Sequence, residues 1–178
     1  QATVSADTTG RLTAVHVAEG DKVRAGDVLA EIDPSIAGVQ ADVARADVDA
    51  AHGRAAVTRA RVADARQKLA RFRELAAGQY VSQADVDAAE NQVSILEAQL
   101  ASELDAAEAS AQRLRLEKQR IESTRIVAPF DGVVTGLSAH VGEIVSPISA
   151  GGGFTRTGIC TIVDLDSIEA EASISEQH

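Results

Sequence analysis

Bulky aromatic side chains are almost absent from this chain of 178 residues. It has no Trp, one Tyr and three Phe, although 45% of its residues are hydrophobic. Large rings normally supply much of the buried area of a globular core. Their scarcity, with Ala and Val in their place, argues against a thick enzyme-like core. It favours close helix packing together with a small β module.

Cysteine, proline and basic surface are also scarce. The single cysteine, Cys160, excludes an internal disulfide and any multi-cysteine metal site, and its apolar surroundings at 159–163 predict a buried strand thiol. The net charge of -10 comes without a basic stripe, which argues against nucleic acid and against an anionic membrane surface. No apolar run approaches the roughly 20 residues that span a bilayer.

The chain falls into segments of different character. Residues 1–33 and 125–166 have short apolar runs between glycines, which is typical of strands. Residues 34–124 are rich in Ala and charged residues and have no proline after Pro34, which predicts helix. Residues 167–178 read as the start of a further, truncated β domain. The chain has no initiating Met and ends in an apparent strand, so we expect an excerpt of a longer protein.

One strong break divides the helical region, at 77–82. Gly78 is suited to a left-handed cap of the first helix, and Ser82 to the N-cap of the second, with Asp85 completing a capping box. At the other end, Asp33 before Pro34 is a good start for the first helix. The pattern predicts two helices of about 41 residues, each roughly 60 Å long, in an antiparallel hairpin.

Such helices must bury an apolar row against each other. The second helix repeats an apolar residue every seven positions, with +3 positions at first and +4 positions later. The first helix offers one row and then a second in a shifted phase, which predicts a stutter in a coiled coil. The predicted rows are Val86, Val93, Leu100, Ala107, Leu114 and Ile121 with Ala89, Leu96, Leu104 and Ala111; then Ile36, Val39, Val43, Ala46, Ala50, Val57 and Ala60, followed by Val62, Ala65, Leu69, Phe72 and Ala76.

The two strand segments repeat one another. Gly10 and Gly20 flank an apolar strand in the first, and Gly132 and Gly142 do so in the second, each second glycine being followed by an acid. Either half alone is too small to bury a core. We therefore predict an α+β protein in which two sequence-distant halves form one β-sandwich, with the helical hairpin inserted between them.

This split arrangement resembles the periplasmic adaptor, or membrane fusion protein, family over almost the whole chain. The glycine pattern of 10–29 is similar to the family's first lipoyl half-motif, and Thr124 to Gly132 to its second. The resemblance implies a lipoyl/biotinyl-like sandwich, no enzymatic activity and no cofactor. It also implies a periplasmic subunit of a tripartite export pump, attached to the inner membrane through a segment outside this chain.

The partners implied by the resemblance are a TolC-type outer-membrane channel, an inner-membrane transporter and further copies of the chain in a hexamer. The hairpin length and the run from Thr124 to Pro129 slightly favour an ABC transporter of the macrolide-exporting kind over a proton-driven RND pump. Channel-docking members resemble Arg-x3-Leu-x6-Ser at the hairpin turn, which Arg71, Leu75 and Ser82 match here. Alternative roles are a solvated charge for Arg71, coil packing for Leu75 and a simple N-cap for Ser82.

Two other classes of function were weighed. A biotin or lipoate carrier presents a modifiable Lys at a tight hairpin between its halves, but here the helical insertion replaces that hairpin. Lys22, the nearest lysine, lies inside the first half-motif. A pure coiled-coil scaffold would need neither the half-repeats nor the tip residues. No catalytic or metal-ligating spacing is recognisable, and the dense carboxylates of the helices are best explained as a solvated face.

Overall fold

The computed structural model describes residues 2–147 and 155–164, so the predicted β segment at 167–178 lies outside them. It divides into a β unit, residues 1–36 with 119–178, and a hairpin unit, residues 37–118. The strands are β1 (Ala2–Ser5), β2 (Gly10–Val15), β3 (Lys22–Val23), β4 (Val28–Ile32), β5 (Arg125–Val127), β6 (Gly132–Leu137), β7 (Ile144–Val145), β8 (Thr155–Arg156) and β9 (Gly158–Val163).

Both sheets of the β unit combine strands from the two halves of the chain. One sheet has the order β1-β9-β6-β3 and the other β5-β4-β2-β7-β8. Strands β1 and β9 pair antiparallel, as do β3 with β6, β2 with β7 and β4 with β5, and each of these pairs joins the first half to the second. The predicted sandwich of two sequence-distant halves is confirmed.

The internal repeat becomes a reciprocal exchange of hydrogen bonds. The N–H of Gly20 donates to the carbonyl of Val134 at 2.7 Å, and the N–H of Gly142 donates to the carbonyl of Leu12 at 2.8 Å. Gly20 and Gly142 occupy equivalent places in the repeat and have φ of 95° and 94°, which only glycine adopts readily. Each half therefore donates a hydrogen bond to the end of a strand of the other half.

The core of the β unit also draws on both halves. Leu29, Val134 and Ile162 are completely buried in one cluster, and Ile159 lies in another. Cys160 is buried in β9, as its apolar surroundings predicted, and burial raises the pKa of its thiol. Aliphatic side chains from the two halves, which are far apart in sequence, therefore pack together in the core of the β unit.

Two long helices form the hairpin, α1 (Ser35–Ala77) and α2 (Gln83–Glu122). At the start of α1, the Ser35 N–H donates to Asp33 Oδ1 at 3.0 Å, which is the N-cap geometry expected before Pro34. The hydrogen bonds from Ser35 hold the pKa of Asp33 below its usual value. A proline at the first helical position costs nothing, because that N–H has no partner within the helix.

The helices run antiparallel in a regular seven-residue register. Arg66 Nε donates to Glu97 Oε1 at 2.9 Å, and Arg73 pairs with Glu90. From the first pair to the second, α1 advances seven residues while α2 goes back seven. The two ion pairs are solvent-exposed, so they fix the register more than they stabilise the pair.

The prediction for the inner row of α2 is confirmed for the positions that recur every seven residues, but it is wrong for one of the later +4 positions. Val86, Val93 and Ala107 are buried as predicted, but Leu104 is 39% exposed. The row continues at +3 positions, through the partly buried Glu103 and not through Leu104. Because the heptad keeps the same face of α2 towards α1, a polar residue occupies an inner position wherever the sequence places one there.

The predicted phase shift in α1 is wrong. The buried positions of α1 follow a single heptad, and they are Ala41, Ala44, Ala51, Ala55, Thr58, Val62, Ala65 and Leu69. Ile36, Val39 and Val43 are between 59% and 74% exposed, and Val57 is 55% exposed. In the first half of α1 the buried row consists mostly of alanine, and Val39, Val43 and Val57 lie outside it.

Candidate functional site

The turn at the hairpin tip is a Schellman motif whose left-handed residue is Gln79. The N–H of Tyr80 donates to the carbonyl of Leu75 at 3.0 Å, and the N–H of Gln79 to that of Ala76 at 2.9 Å. Gln79 has a φ of 62°, and the prediction that Gly78 takes this conformation is wrong. Gly78 has another reason to be glycine, since a Cβ there would lie 2.6 Å from the Tyr80 ring.

Ser82 and Asp85 form the predicted capping box at the start of α2. The Ser82 hydroxyl donates to Asp85 Oδ2 at 2.6 Å, and the Asp85 N–H donates back to that hydroxyl at 3.3 Å. The side-chain hydrogen bond from Ser82, followed by its backbone N–H, holds the pKa of Asp85 below its usual value. Of the three predicted tip residues, Ser82 thus has a structural task of its own.

Arg71 and Leu75 lie one turn apart on the same face of α1. Arg71 is exposed and forms no ion pair or hydrogen bond that the described residues record, unlike Arg73 two positions further on. The side chain of Leu75 is 43% exposed, and its carbonyl accepts the bonds that close the turn. This face offers a planar cation with free donors beside a partly exposed apolar side chain.

Tyr80 is a tip residue that sequence reasoning missed. It is 81% exposed, more than any other large hydrophobic side chain recorded in the described residues, and its ring lies against Gly78. An exposed aromatic ring held by a tight turn is typical of a residue that contacts a partner. The only signal in the sequence was the position of the chain's single Tyr in the break between the helices.

Metal-binding clusters and membrane-spanning helices are absent from the described residues. Within residues 2–147 and 155–164, no group of His, Cys, Asp and Glu is arranged to hold a metal ion. No helix in that part of the chain has the length and apolarity to cross a membrane.

Comparison with known proteins gives one consistent family. Residues 1–151 match the family described as "RND MFP, barrel-sandwich hybrid domain". Multidrug resistance protein MdtA of Escherichia coli is 37% identical over 174 residues, which is 98% of this chain and 37% of the relative. The chain therefore spans little more than a third of that protein.

Among solved structures, MacA from Actinobacillus actinomycetemcomitans superposes with a TM-score of 0.81 at 20% identity, over 92% of this chain and 49% of that one. The soluble domain of LipC, a membrane fusion protein of a type I secretion system, has a TM-score of 0.55 at 16% identity, over 92% and 99% of the two chains. At these identities the likeness shows the fold alone. With the family match, it places this sandwich and hairpin among adaptor folds. The chain belongs to the membrane fusion protein, or periplasmic adaptor, family.

Proposed function

We propose that this chain is the sandwich and hairpin part of a periplasmic adaptor, which connects an inner-membrane transporter to a TolC-type outer-membrane channel in a tripartite export pump. The protein acts as a structural connector with no reaction of its own, and its copies assemble side by side as a hexamer. It is held at the inner membrane by a segment outside this chain. The observation that carries the proposal is the family match over a split sandwich with a long inserted hairpin.

The hairpin tip is the proposed channel-docking surface, with Arg71, Leu75 and Ser82 as its residues. The exposed guanidinium of Arg71 is suited to bidentate hydrogen bonds with carboxylate or carbonyl acceptors at the end of a partner helix. Leu75 adds an apolar contact one turn away. Ser82 acts mainly by holding the start of α2 through its bond to Asp85. Each contact is weak alone, and repetition around a ring multiplies the effective affinity.

For the transporter, the family match to the RND type and the 37% identity to MdtA favour an RND pump. An ABC transporter is the second candidate, favoured by the hairpin length and by the run from Thr124 to Pro129. Neighbouring reading frames in the genome distinguish the two, because each class of permease has its own sequence signature.

The docking surface is tested by Arg71→Asp and Leu75→Glu in the complete adaptor. We expect each to weaken co-purification with a TolC-type channel by about thirtyfold, equivalent to about 2 kcal/mol for a hot-spot residue. Export should fall with it. The helical circular dichroism and the melting temperature should stay unchanged, because both side chains are exposed.

Matched controls lie further down the same hairpin. Arg59→Asp reverses another exposed arginine of α1, and Leu104→Glu changes a leucine of α2 that is 39% exposed. Both should leave channel binding intact. Normal binding by the tip variants would show that the docking assignment is wrong, and unfolding of the hairpin by them would show that these residues are structural.

A further inference from the structure

The seam between α1 and α2 changes character along the hairpin. Near the tip, the inner residues form one hydrophobic cluster, whose members lie between residues 65 and 96. Further from the tip, every seventh inner position of α2 is polar, at Glu103, Ser110 and Glu117. We name residues 48–62 of α1 with 103–117 of α2 the polar section, and residues 65–76 with 86–100 the tip section.

Glu103 is the residue at which the polar section begins on α2. It is partly buried at an inner position, and its Oε1 accepts a hydrogen bond from Gln99 Nε2 at 3.0 Å. Its Oε2 is buried and has no hydrogen-bond partner among the described residues. An acceptor buried without a partner destabilises the paired helices, because the same oxygen would be hydrated if they separated. Pairing is therefore weakened at this level.

Polar groups enter the seam from α1 at the same level. The register of the two ion pairs puts Glu103 level with residue 60 of α1 and Ser110 level with residue 53. Thr58 lies between these levels and is 2% exposed. The neighbouring buried positions are Ala51 and Ala55, whose methyl groups bury little apolar area. The polar section thus lacks the large apolar contacts of the tip section.

The backbone of α1 is weakened in the polar section as well. Gly53 lies inside the helix, where glycine is less favourable than alanine because it has more conformational freedom to lose. Its φ is not positive, and a Cβ there would meet nothing within 4 Å. Neither backbone conformation nor packing within the hairpin requires glycine at this position. Its low helix propensity is consistent with a segment that opens.

We propose that the polar section is an opening segment, in which α1 and α2 separate locally while the tip section stays paired. Local opening is easiest where few apolar contacts are buried. A hairpin with a uniform seam would fray first at its free turn, because the other ends of both helices continue into the β unit. The polar section reverses this order, and Glu103 determines where the opening occurs.

This inference goes beyond the proposed function and adds a movement to it. Opening in the polar section lets the hairpin bend without disturbing the tip face that carries Arg71 and Leu75. In a pump, the tip is held by the channel while the rest of the adaptor follows the transporter. A segment that opens between the two absorbs changes in their separation, so that the tip contacts need not break.

Hydrogen exchange of the purified chain, followed by mass spectrometry, tests the order of opening. We expect amides of residues 51–58 and 107–114 to exchange at least tenfold faster than those of 65–72 and 89–96. Glu103→Leu should slow exchange in the polar section about tenfold and leave the tip section unchanged, because it replaces the unpartnered acceptor with an apolar side chain. Glu108→Leu is the matched control, since Glu108 is exposed on the same helix, and it should change neither rate.

Ser110→Leu is a second variant, and it should also slow exchange in the polar section. Fastest exchange at the tip, or exchange that neither variant slows, would overturn the proposal. These measurements need no channel, so their outcome is independent of whether the tip docks.

The use of the opening is tested in the complete adaptor. Glu103→Leu with Ser110→Leu should leave co-purification with a TolC-type channel unchanged and lower export severalfold. Normal export by this variant, with exchange of its polar section slowed, would show that transport does not use the opening.

Discussion

The β unit and the hairpin unit solve the problem of burying apolar surface in opposite ways. The β unit encloses large aliphatic side chains completely, Leu29, Val134 and Ile162 among them. The hairpin buries mostly alanine along a narrow seam and leaves Val39, Val43 and Val57 of α1 in solvent. A closed sandwich uses its apolar residues for its own stability, whereas an extended helix pair has more surface than its seam covers.

The comparison is tested most strongly by equal truncations in the two units. Leu29→Ala should lower the free energy of unfolding of the β unit by about 3–4 kcal/mol, because a fully enclosed site leaves a cavity. Leu69→Ala, 8% exposed in the seam, should cost the hairpin about 2 kcal/mol, since two helices can close over the gap. Hydrogen exchange of each unit's protected amides measures both. Equal losses of unfolding free energy in the two units would contradict this difference in packing.

A smaller difference is expected at the turns. The β unit has glycine where φ is positive, and the hairpin has Gln79. Gly20→Ala and Gly142→Ala should each destabilise the β unit by about 1–2 kcal/mol, because a Cβ disfavours the left-handed region. Gln79→Gly should stabilise the hairpin by about 1 kcal/mol for the same reason. Thermal melts followed by circular dichroism give the signs, and a destabilising Gln79→Gly would show that its side chain has a role in the turn.

The smallest effect concerns pH and the two helix starts. Bonds from Ser82 lower the pKa of Asp85 in the folded chain, so this carboxylate stabilises the hairpin above its unfolded value of about 3.8 and the gain is lost as pH falls below it. Ser82→Ala should be less stable than the wild type at pH 7, and the difference should shrink at pH values below about 3.8. Ser35→Ala, which affects Asp33, is the matching control at α1. A difference that does not vary with pH would contradict this linkage.

The sandwich was predictable because its two segments share the same spacing of glycines and apolar residues, and neither could bury a core alone. The spacing of Gly10 and Gly20 against Gly132 and Gly142 indicated two equivalent halves. The exchange of bonds between them, such as Gly20 to Val134, was beyond that pattern, because strand pairing depends on contacts between residues far apart in sequence. The tip turn was placed correctly, but the choice between Gly78 and Gln79 depended on where the Tyr80 ring lies.

The phase of the first half of α1 was not predictable from apolar residues alone, whereas the row from Val62 to Ala76 was predicted correctly. With alanine at so many positions, several rows on the helix are equally apolar, and valine drew the prediction towards the wrong one. At these inner positions Ala51 and Ala55 are buried, at 1% and 2% exposure, and a larger side chain there would have to displace its neighbours. In α2 the later row continues through the partly buried Glu103 instead of Leu104, because the seven-residue repeat is kept along the helix.

The exchange of strands between the halves imposes an order on biosynthesis. As the ribosome releases the chain from its N-terminus, β2 and β4 can pair with each other, but they emerge long before β7 and β5, which pair with their other edges. Their unpaired edges stay open while residues 35–122 are being made. When α1 and α2 pair along their seam, the two ends of the helical segment come together. The loop that must close before the second half can pair with the first is then much shorter. In a nascent chain, we therefore expect the helices to pair first and the sandwich to be completed afterwards.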